Sequence, residues 1–272
     1  MHVASVRVYP VKSTRGLRVG QAAVERAGLA GDRRWAVIAR GGHRLTARTH
    51  PRLLTVTATP DADGNLHLSA PGREPLGVDV PDGGGTIGVR FSRLDRVVDA
   101  GDAAADWFGD LLDEPVRLGW QDDPGRRPVN PDHGGLPGDP LSLADAGPLL
   151  LTTQASLDRL DQWLTEGGGA PIDLLTERMR PNVVVGGEVA PFAEDHWARV
   201  RIGAVDFRFA DHCDRCVLTT VDPAGLGRGP EPIRTLARHR KWSGKTWFGI
   251  WLIPAGTGAI RAGDPVSVLG RR

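Results

Sequence analysis

Cysteine is nearly absent, with two in 272 residues. That count excludes a disulfide framework of the kind that staples small secreted domains, and it excludes four-cysteine zinc or iron–sulfur motifs. The opening residues Met1-His2-Val3-Ala4-Ser5 lack a basic stretch followed by an apolar run, so no export signal is read. No apolar run approaches the ~18 residues that mark a membrane span. Neither sign of charge dominates: Lys plus Arg is 34 and Asp plus Glu is 33. The resulting net charge of +1 gives no general attraction to nucleic acid or to a membrane surface. The glycine runs at 83–85 and 167–169 do not fit G-x-G-x-x-G, and no G-x-S-x-G or H-E-x-x-H occurs. His133, His196, His212 and His239 are scattered, with no H-x-x-x-H among them. Dinucleotide fingerprints, hydrolase nucleophile elbows and zinc-protease helices are therefore unsupported. A cytoplasmic, reducing location is the expectation.

Glycine and proline are plentiful, at 36 and 21, and short β patterns between turn signals dominate the first hundred residues. Strand patterns run over 3–11, 34–40 with 44–48, 53–58 with 66–68, 77–80 and 87–91. Asp102 reads as the N-cap of a helix over 103–113, followed by a strand over 115–120. Residues 121–147, rich in Asp, Pro and Gly, carry little periodicity and read as a crossing segment. Beyond it come a strand at 149–151, a helix over 155–164 ended by the glycines at 167–169, a short helix over 172–178, and a strand at 182–185. A hairpin of 197–202 with 205–210, a strand over 217–221, a helix at 231–240 and strands at 246–253 and after 264 complete the reading. The fold class expected is mainly β with inserted helices (α+β), built of barrel-like sheets. Two domains are expected, 1–120 and 121–272. The eight tryptophans read as core.

Both cysteines stand in Asp211-His212-Cys213-Asp214-Arg215-Cys216, placed by pattern on a loop between two strands. Arg215 beside Cys216 favours a thiolate, the form that ligates metal or attacks an electrophile. Four readings stay open for the pair. They are a zinc site recruiting His196 or His212, a thioredoxin-type redox pair, inert core thiols, and a single-thiolate ligand to a soft transition metal. Elsewhere, Lys12, Ser13 and Gly16 at a strand end have the parts of an anion cradle, without P-loop spacing. Arg33, Arg48 and Arg180 add cations, each of which alone fits a structural role. No general acid is assigned: Asp214 and Asp222 lie near the thiols, in positions that also suit a turn and a strand end.

These segments occur in one order: Val8-Tyr9-Pro10-Val11-Lys12-Ser13, Gly31-Asp32-Arg33-x-Trp35, Thr46-Ala47-Arg48, Arg180-Pro181-Asn182, Asp195-x-Trp197, Cys213-x-Arg215-Cys216-x-x-Thr219-Thr220-Val221-Asp222-Pro223 and Gly263-Asp264-x-Val266. The order resembles the MOSC-domain family with an N-terminal MOSC β-barrel domain, the group of the mitochondrial amidoxime-reducing component and the bacterial YcbX. The likeness runs from about Val3 to Leu269. It implies a pyranopterin molybdenum cofactor (Mo-molybdopterin) between two β-rich domains, with Cys216 as the thiolate on molybdenum and Cys213 not ligating. It implies cofactor contacts from Lys12, Ser13 and Arg33 on one side. On the other it implies contacts from Asp145, Ala146, Gly147, Arg180, Asn182, Asp214 and Arg215, with backbone N–H groups serving at Ala146 and Gly147.

The activity implied is reduction of N-hydroxylated compounds (hydroxylamines, amidoximes, N-hydroxylated bases) to the N–H form. The sequence ends soon after 266–269, so the ferredoxin-like extension of YcbX and a membrane anchor are not expected. Electrons would then come from a separate ferredoxin, flavodoxin or reductase. A non-catalytic cofactor carrier and a persulfide-bearing sulfur-transfer domain are the alternatives.

Overall fold

The computed structural model describes residues 1–168, 172 and 175–272. Its architecture is mainly β, with four helices among the described residues. The largest sheet draws strands from both ends of the chain. Its order is Val266–Arg271, Trp197–Ile202, Val205–Asp214, Lys245–Pro254, Leu149–Thr153, Val183–Gly186, His2–Val8 and Leu17–Val19. His2–Val8 pairs antiparallel with Val183–Gly186, so the first strand completes a sheet whose other members lie mostly beyond residue 149. Leu149–Thr153 and Val183–Gly186 run parallel, and the helix Gln154–Glu166 lies between them in sequence, as a parallel crossover requires. Val3, Val6, Leu151, Val183, Trp197, Phe207 and Ile250 form the core on one face of this sheet. Leu157, Leu160 and Leu164 of the helix pack with Val184 and Phe248 in a separate cluster.

A second sheet, Trp35–Ala39, Val116–Trp120, Leu94–Asp99 and Thr86–Phe91, belongs to the N-terminal part. The helix Asp102–Leu112 buries Trp107, Phe108 and Leu111 in the core that includes Leu118, Leu53 and Leu66. Its N-cap is Gly101, one residue before the expected Asp102.

Several strand expectations shift. Residues 53–58 divide into a 3₁₀ turn, Pro51–Thr55, and a strand, Thr57–Pro60, because Pro51 opens the turn and Thr55 Oγ1 bonds back to Arg52 O at 2.8 Å. Residues 44–48 make a bridge at Arg44 and one bond from Leu45 N to Val37 O rather than a full strand. The hairpin at 197–210 forms as expected, and its second strand continues to Asp214. The short helix is Leu175–Met179, and part of the expected span 172–178, like Gly169, lies outside the described residues. Among the described residues no helix is long and apolar enough to cross a membrane.

Candidate functional site

The thiols are not on a loop between two strands. Cys213 lies within the strand Val205–Asp214, and Cys216 is the N-cap of a 3₁₀ turn, Val217–Thr220, where a strand was expected. The reason is local. Thr219 Oγ1 bonds to Cys216 O at 3.0 Å and Thr220 Oγ1 to Val217 O at 2.8 Å, so the hydroxyls compete with a sheet ladder for the backbone. Asp222 then accepts from the N–H groups of Ala224 and Gly225, closing the next turn. The Thr-Thr-Val-Asp run is thus the mount that fixes where Cys216 leaves the sheet.

Arg215 does not serve Cys216. Its Nη1 donates to Cys213 Sγ at 2.9 Å and its Nη2 to Met179 O at 2.7 Å. Cys213 is 3% exposed, and burial pushes its thiol pKa up although Arg215 opposes the shift. It stays a protonated thiol at neutral pH. Cys216 is half-buried, and its cation is Arg48, whose Nε donates to Sγ at 3.1 Å. Burial works against the Arg48 charge, but Asp145 and Cys216 outweigh it and the guanidinium pKa is raised. Arg48 is the partner that local reading missed. Its signal was the Thr-Ala-Arg segment, which no spacing rule connects to a thiol so distant in sequence.

Cys216 opens on a cavity of about 350 Å³, within the range of small-molecule pockets. Of the residues that the family resemblance nominated, all but Gly147 and Asn182 line it, whereas Gly16, His196 and Asp222 do not. Asn182 stands behind the wall, 1% exposed, with every polar atom engaged. Its Oδ1 accepts from Arg33 Nη1 at 3.2 Å and Leu150 N at 3.1 Å, while its Nδ2 donates to Asp32 Oδ1 and Arg7 O. Gly147 lies against Trp251, where a Cβ would fall 2.6 Å from the Trp251 Cβ, so only glycine lets the chain pass this wall residue. Trp247 and Trp251 line the cavity as well, and Trp242 is 38% exposed, so not every tryptophan is core.

The wall is cationic. Lys12, Arg33, Arg44, Arg48, Arg180, Arg215 and Lys245 face the space with only Asp145 and Asp214 as carboxylates. Lys12, 4% exposed, donates to Leu143 O and Asp145 Oδ1, both at 2.8 Å. Burial pushes its pKa down to about 8, with Asp145 resisting. Desolvation pushes Asp145 up, but Lys12 and Arg48 outweigh it and hold the carboxyl well below the usual range. Arg33 and Arg180 both stack on the Tyr9 ring, their guanidinium carbons 4.4 and 4.3 Å from its centroid. Arg33 has Asp32 as counterion. The guanidinium of Arg180, a residue 8% exposed, has no hydrogen-bond partner among the described residues, and burial pushes its pKa down to about 10. Ser13, Arg33 and Arg180 all hold positive φ, at 70°, 50° and 55°. Left-handed backbone costs a non-glycine residue roughly 1 kcal/mol or more, and its concentration here marks a site that the surrounding fold over-determines.

A buried guanidinium without a hydrogen-bond partner fits an anionic, hydrogen-bond-accepting ligand, and a half-buried thiol at the same cavity fits a soft metal. A molybdopterin group has both parts, so the residues present suit it. They do not suit zinc: among the described residues no three His, Cys, Asp or Glu side chains converge to hold a metal ion.

Residues 1–115 match the MOSC N-terminal beta barrel domain and residues 138–267 the MOSC domain. The chain is 34% identical over 289 residues to the mitochondrial amidoxime-reducing component 1 of Homo sapiens, covering 99% of this chain and 83% of that protein. The mitochondrial amidoxime reducing component 2 of Rattus norvegicus is 34% identical over 285 residues, covering 97% and 82%. The molybdenum cofactor sulfurase of Oryza sativa subsp. japonica is 30% identical over 283 residues, covering 93% of this chain but 32% of that longer protein. The chain belongs to the MOSC family, with a MOSC N-terminal β-barrel domain ahead of the MOSC domain.

Proposed function

We propose that the protein is a molybdenum-cofactor oxidoreductase that reduces N-hydroxylated compounds to the N–H form with electrons from a separate donor protein. One observation carries the reading: a half-buried thiol, Cys216, opens on a cavity whose buried guanidinium at Arg180 lacks a partner. Similarity to amidoxime-reducing components over nearly the whole chain supplies the reaction class. The cofactor, when bound, supplies a two-electron redox couple that no side chain offers.

The chain's own residues divide the remaining work. Cys216 is the protein ligand, and Arg48 fixes its sulfur in place. Lys12, Ser13, Arg33 and Arg180 hold the anionic part from one side, with Asp214 and Arg215 on the thiol side and the backbone at Asp145 and Ala146 closing the space. Asn182 and Gly147 act one layer out: Asn182 orients Arg33, and Gly147 seats the wall against Trp251. Trp247 and Trp251 keep one wall apolar.

The test is metal analysis of protein expressed in a cofactor-competent host, with and without Cys216→Ala, followed by N-hydroxyl reduction with an artificial electron donor. Stoichiometric molybdenum, lost in the variant, together with turnover supports the reading. Protein that carries the cofactor without turnover leaves a carrier. A mass gain of one sulfur atom on Cys216 favours sulfur transfer, the second reading, which the likeness to a cofactor sulfurase keeps in play.

A further inference from the structure

Two histidines reach the cavity wall, and the fold holds them differently. His212 Nε2 lies 2.7 Å from Arg272 Nη2, and the rings of Phe209, Trp242 and Trp247 pack around it. Burial lowers its pKa, with Arg272 and Arg240 adding to the effect against Asp195 and Asp211. Its ring is neutral, with Nε2 already taken as an acceptor.

His133 ends the 3₁₀ turn Pro131–His133 in the crossing segment, and its Nδ1 lies 2.9 Å from Asp211 Oδ2. Among the described residues its Nε2 has no hydrogen-bond partner. The turn is fastened to the strand Val205–Asp214 at two further points. Arg208 Nη1 donates to Gly134 O at 2.8 Å while also pairing with Asp139. Gly134, at φ +73°, lies so close that a Cβ would fall 2.2 Å from Ala210 O. An Asp–His pair is thereby pinned to the strand that leads directly to Cys213 and Cys216.

Reduction of an N-hydroxyl group consumes two electrons and two protons, and the cavity offers few proton donors. Arginines do not release a proton near neutral pH. Lys12 Nζ is tied to Leu143 O and Asp145, and Asp145 is held as a carboxylate. Cys213 is buried against Arg215. Of the two histidines at the cavity, His133 is the one whose ring keeps a nitrogen without a hydrogen-bond partner among the described residues.

We propose that His133, oriented by Asp211, donates the proton that turns the leaving hydroxyl of the substrate into water; the inference rests on the reductase reading above. For a hydroxylamine R–NH–OH, two electrons from the donor protein break the N–O bond. The oxygen takes the Nε2 proton of His133 and leaves as water. The nitrogen keeps the electron pair and takes the second proton from solvent, giving R–NH₂, and His133 regains its proton from solvent. Asp211 accepts from Nδ1–H and so fixes which nitrogen faces the cavity. Asp211 is the charged group against the ring; Arg208 on the same strand and Asp132 and Asp139 on its own segment lie near in the chain, and Arg44, Arg48, Asp145, Asp214 and Lys245 share the cavity wall.

The test compares parent, His133→Gln and Asp211→Asn as cofactor-loaded proteins, with an artificial electron donor. A lost general acid costs about 10²–10⁴-fold in kcat. The expected result is such a loss in His133→Gln at unchanged molybdenum content and similar KM. Asp211→Asn loses less. Independently of turnover, ¹⁵N NMR of the cofactor-free chain is expected to place the His133 ring proton on Nδ1 in the parent and to lose that preference in Asp211→Asn. An active parent matched by an equally active, loaded His133→Gln overturns this inference alone, as does a parent ring whose Nδ1 carries no proton. A loaded parent that reduces no N-hydroxylated compound overturns the reductase reading, and the inference with it.

Discussion

Replacing Lys12 by methionine removes a charge that the folded chain holds at a cost. In the unfolded chain the amine has the ordinary value of 10.5, and in the cavity wall burial pushes it down to about 8. At ~1.4 kcal/mol per tenfold, that gap makes the protonated form about 3 kcal/mol less favourable in the fold. The sign follows from proton counting. Between about 8 and 10.5 the unfolded chain binds more protons than the folded one, so stability rises with pH through that window and the penalty is complete below it. Lys12→Met escapes this penalty but leaves Leu143 O without its donor, a loss of about 1–3 kcal/mol.

At neutral pH the cofactor-free variant is therefore expected to equal or exceed the parent in stability by about 1 kcal/mol. The gap between the two should then shift by about 3 kcal/mol in favour of the parent as pH rises past 10.5. Denaturant titration of both cofactor-free chains across that range measures the gap, and groups such as Arg180 that titrate in both cancel. Molybdenum content, measured separately, should fall in the variant. A gap that stays constant with pH would refute the claim that Lys12 is held charged against its desolvation.

Three further outcomes follow from the contacts of single residues. Cys216→Ala should lose molybdenum while Cys213→Ala keeps it, since Cys216 is half-buried at the cavity whereas Cys213 is buried against Arg215; equal loss of activity with metal retained in both would contradict this asymmetry. Glu194→Ala should cost about 3 kcal/mol by denaturant titration, because the fully buried carboxylate accepts from Thr152 Oγ1, Thr153 N, Thr153 Oγ1 and Ser156 Oγ. Gly147→Ala should lower stability by about 1–3 kcal/mol and reduce cofactor occupancy, measured as metal per chain, by pushing the Trp251 wall.

Strands with clean alternation were legible from sequence. Trp197–Ile202 and Val205–Asp214 carry inward Trp197, Val200, Ile202, Val205 and Phe207, and period-2 burial leaves a readable trace. Val217 to Val221 misled because β-branched residues and threonines favour strands, yet here the two hydroxyls turn back on their own backbone. The site divides similarly. Cys216 was legible because both thiols sit in one motif. Arg215 was assigned to the wrong sulfur because adjacency in sequence says little about direction: past the strand end its guanidinium turns back to Cys213. Arg48 at Cys216 and Asp211 at His133 were not legible, since each pair joins segments that only the tertiary fold brings together.

The strand His2–Val8 has a consequence for synthesis. Its antiparallel partner Val183–Gly186 is translated far later than the strand itself. At ~5–20 residues per second, the wait is on the order of ten seconds. Throughout it Val3, Val6 and Val8 lack the sheet that buries them, and Lys12 and Ser13 have no opposing wall. The cavity comes into existence only when the C-terminal strands are in place. Cofactor loading is therefore a step that follows translation, and a chain caught before it offers an unpaired apolar strand to chaperones or to aggregation.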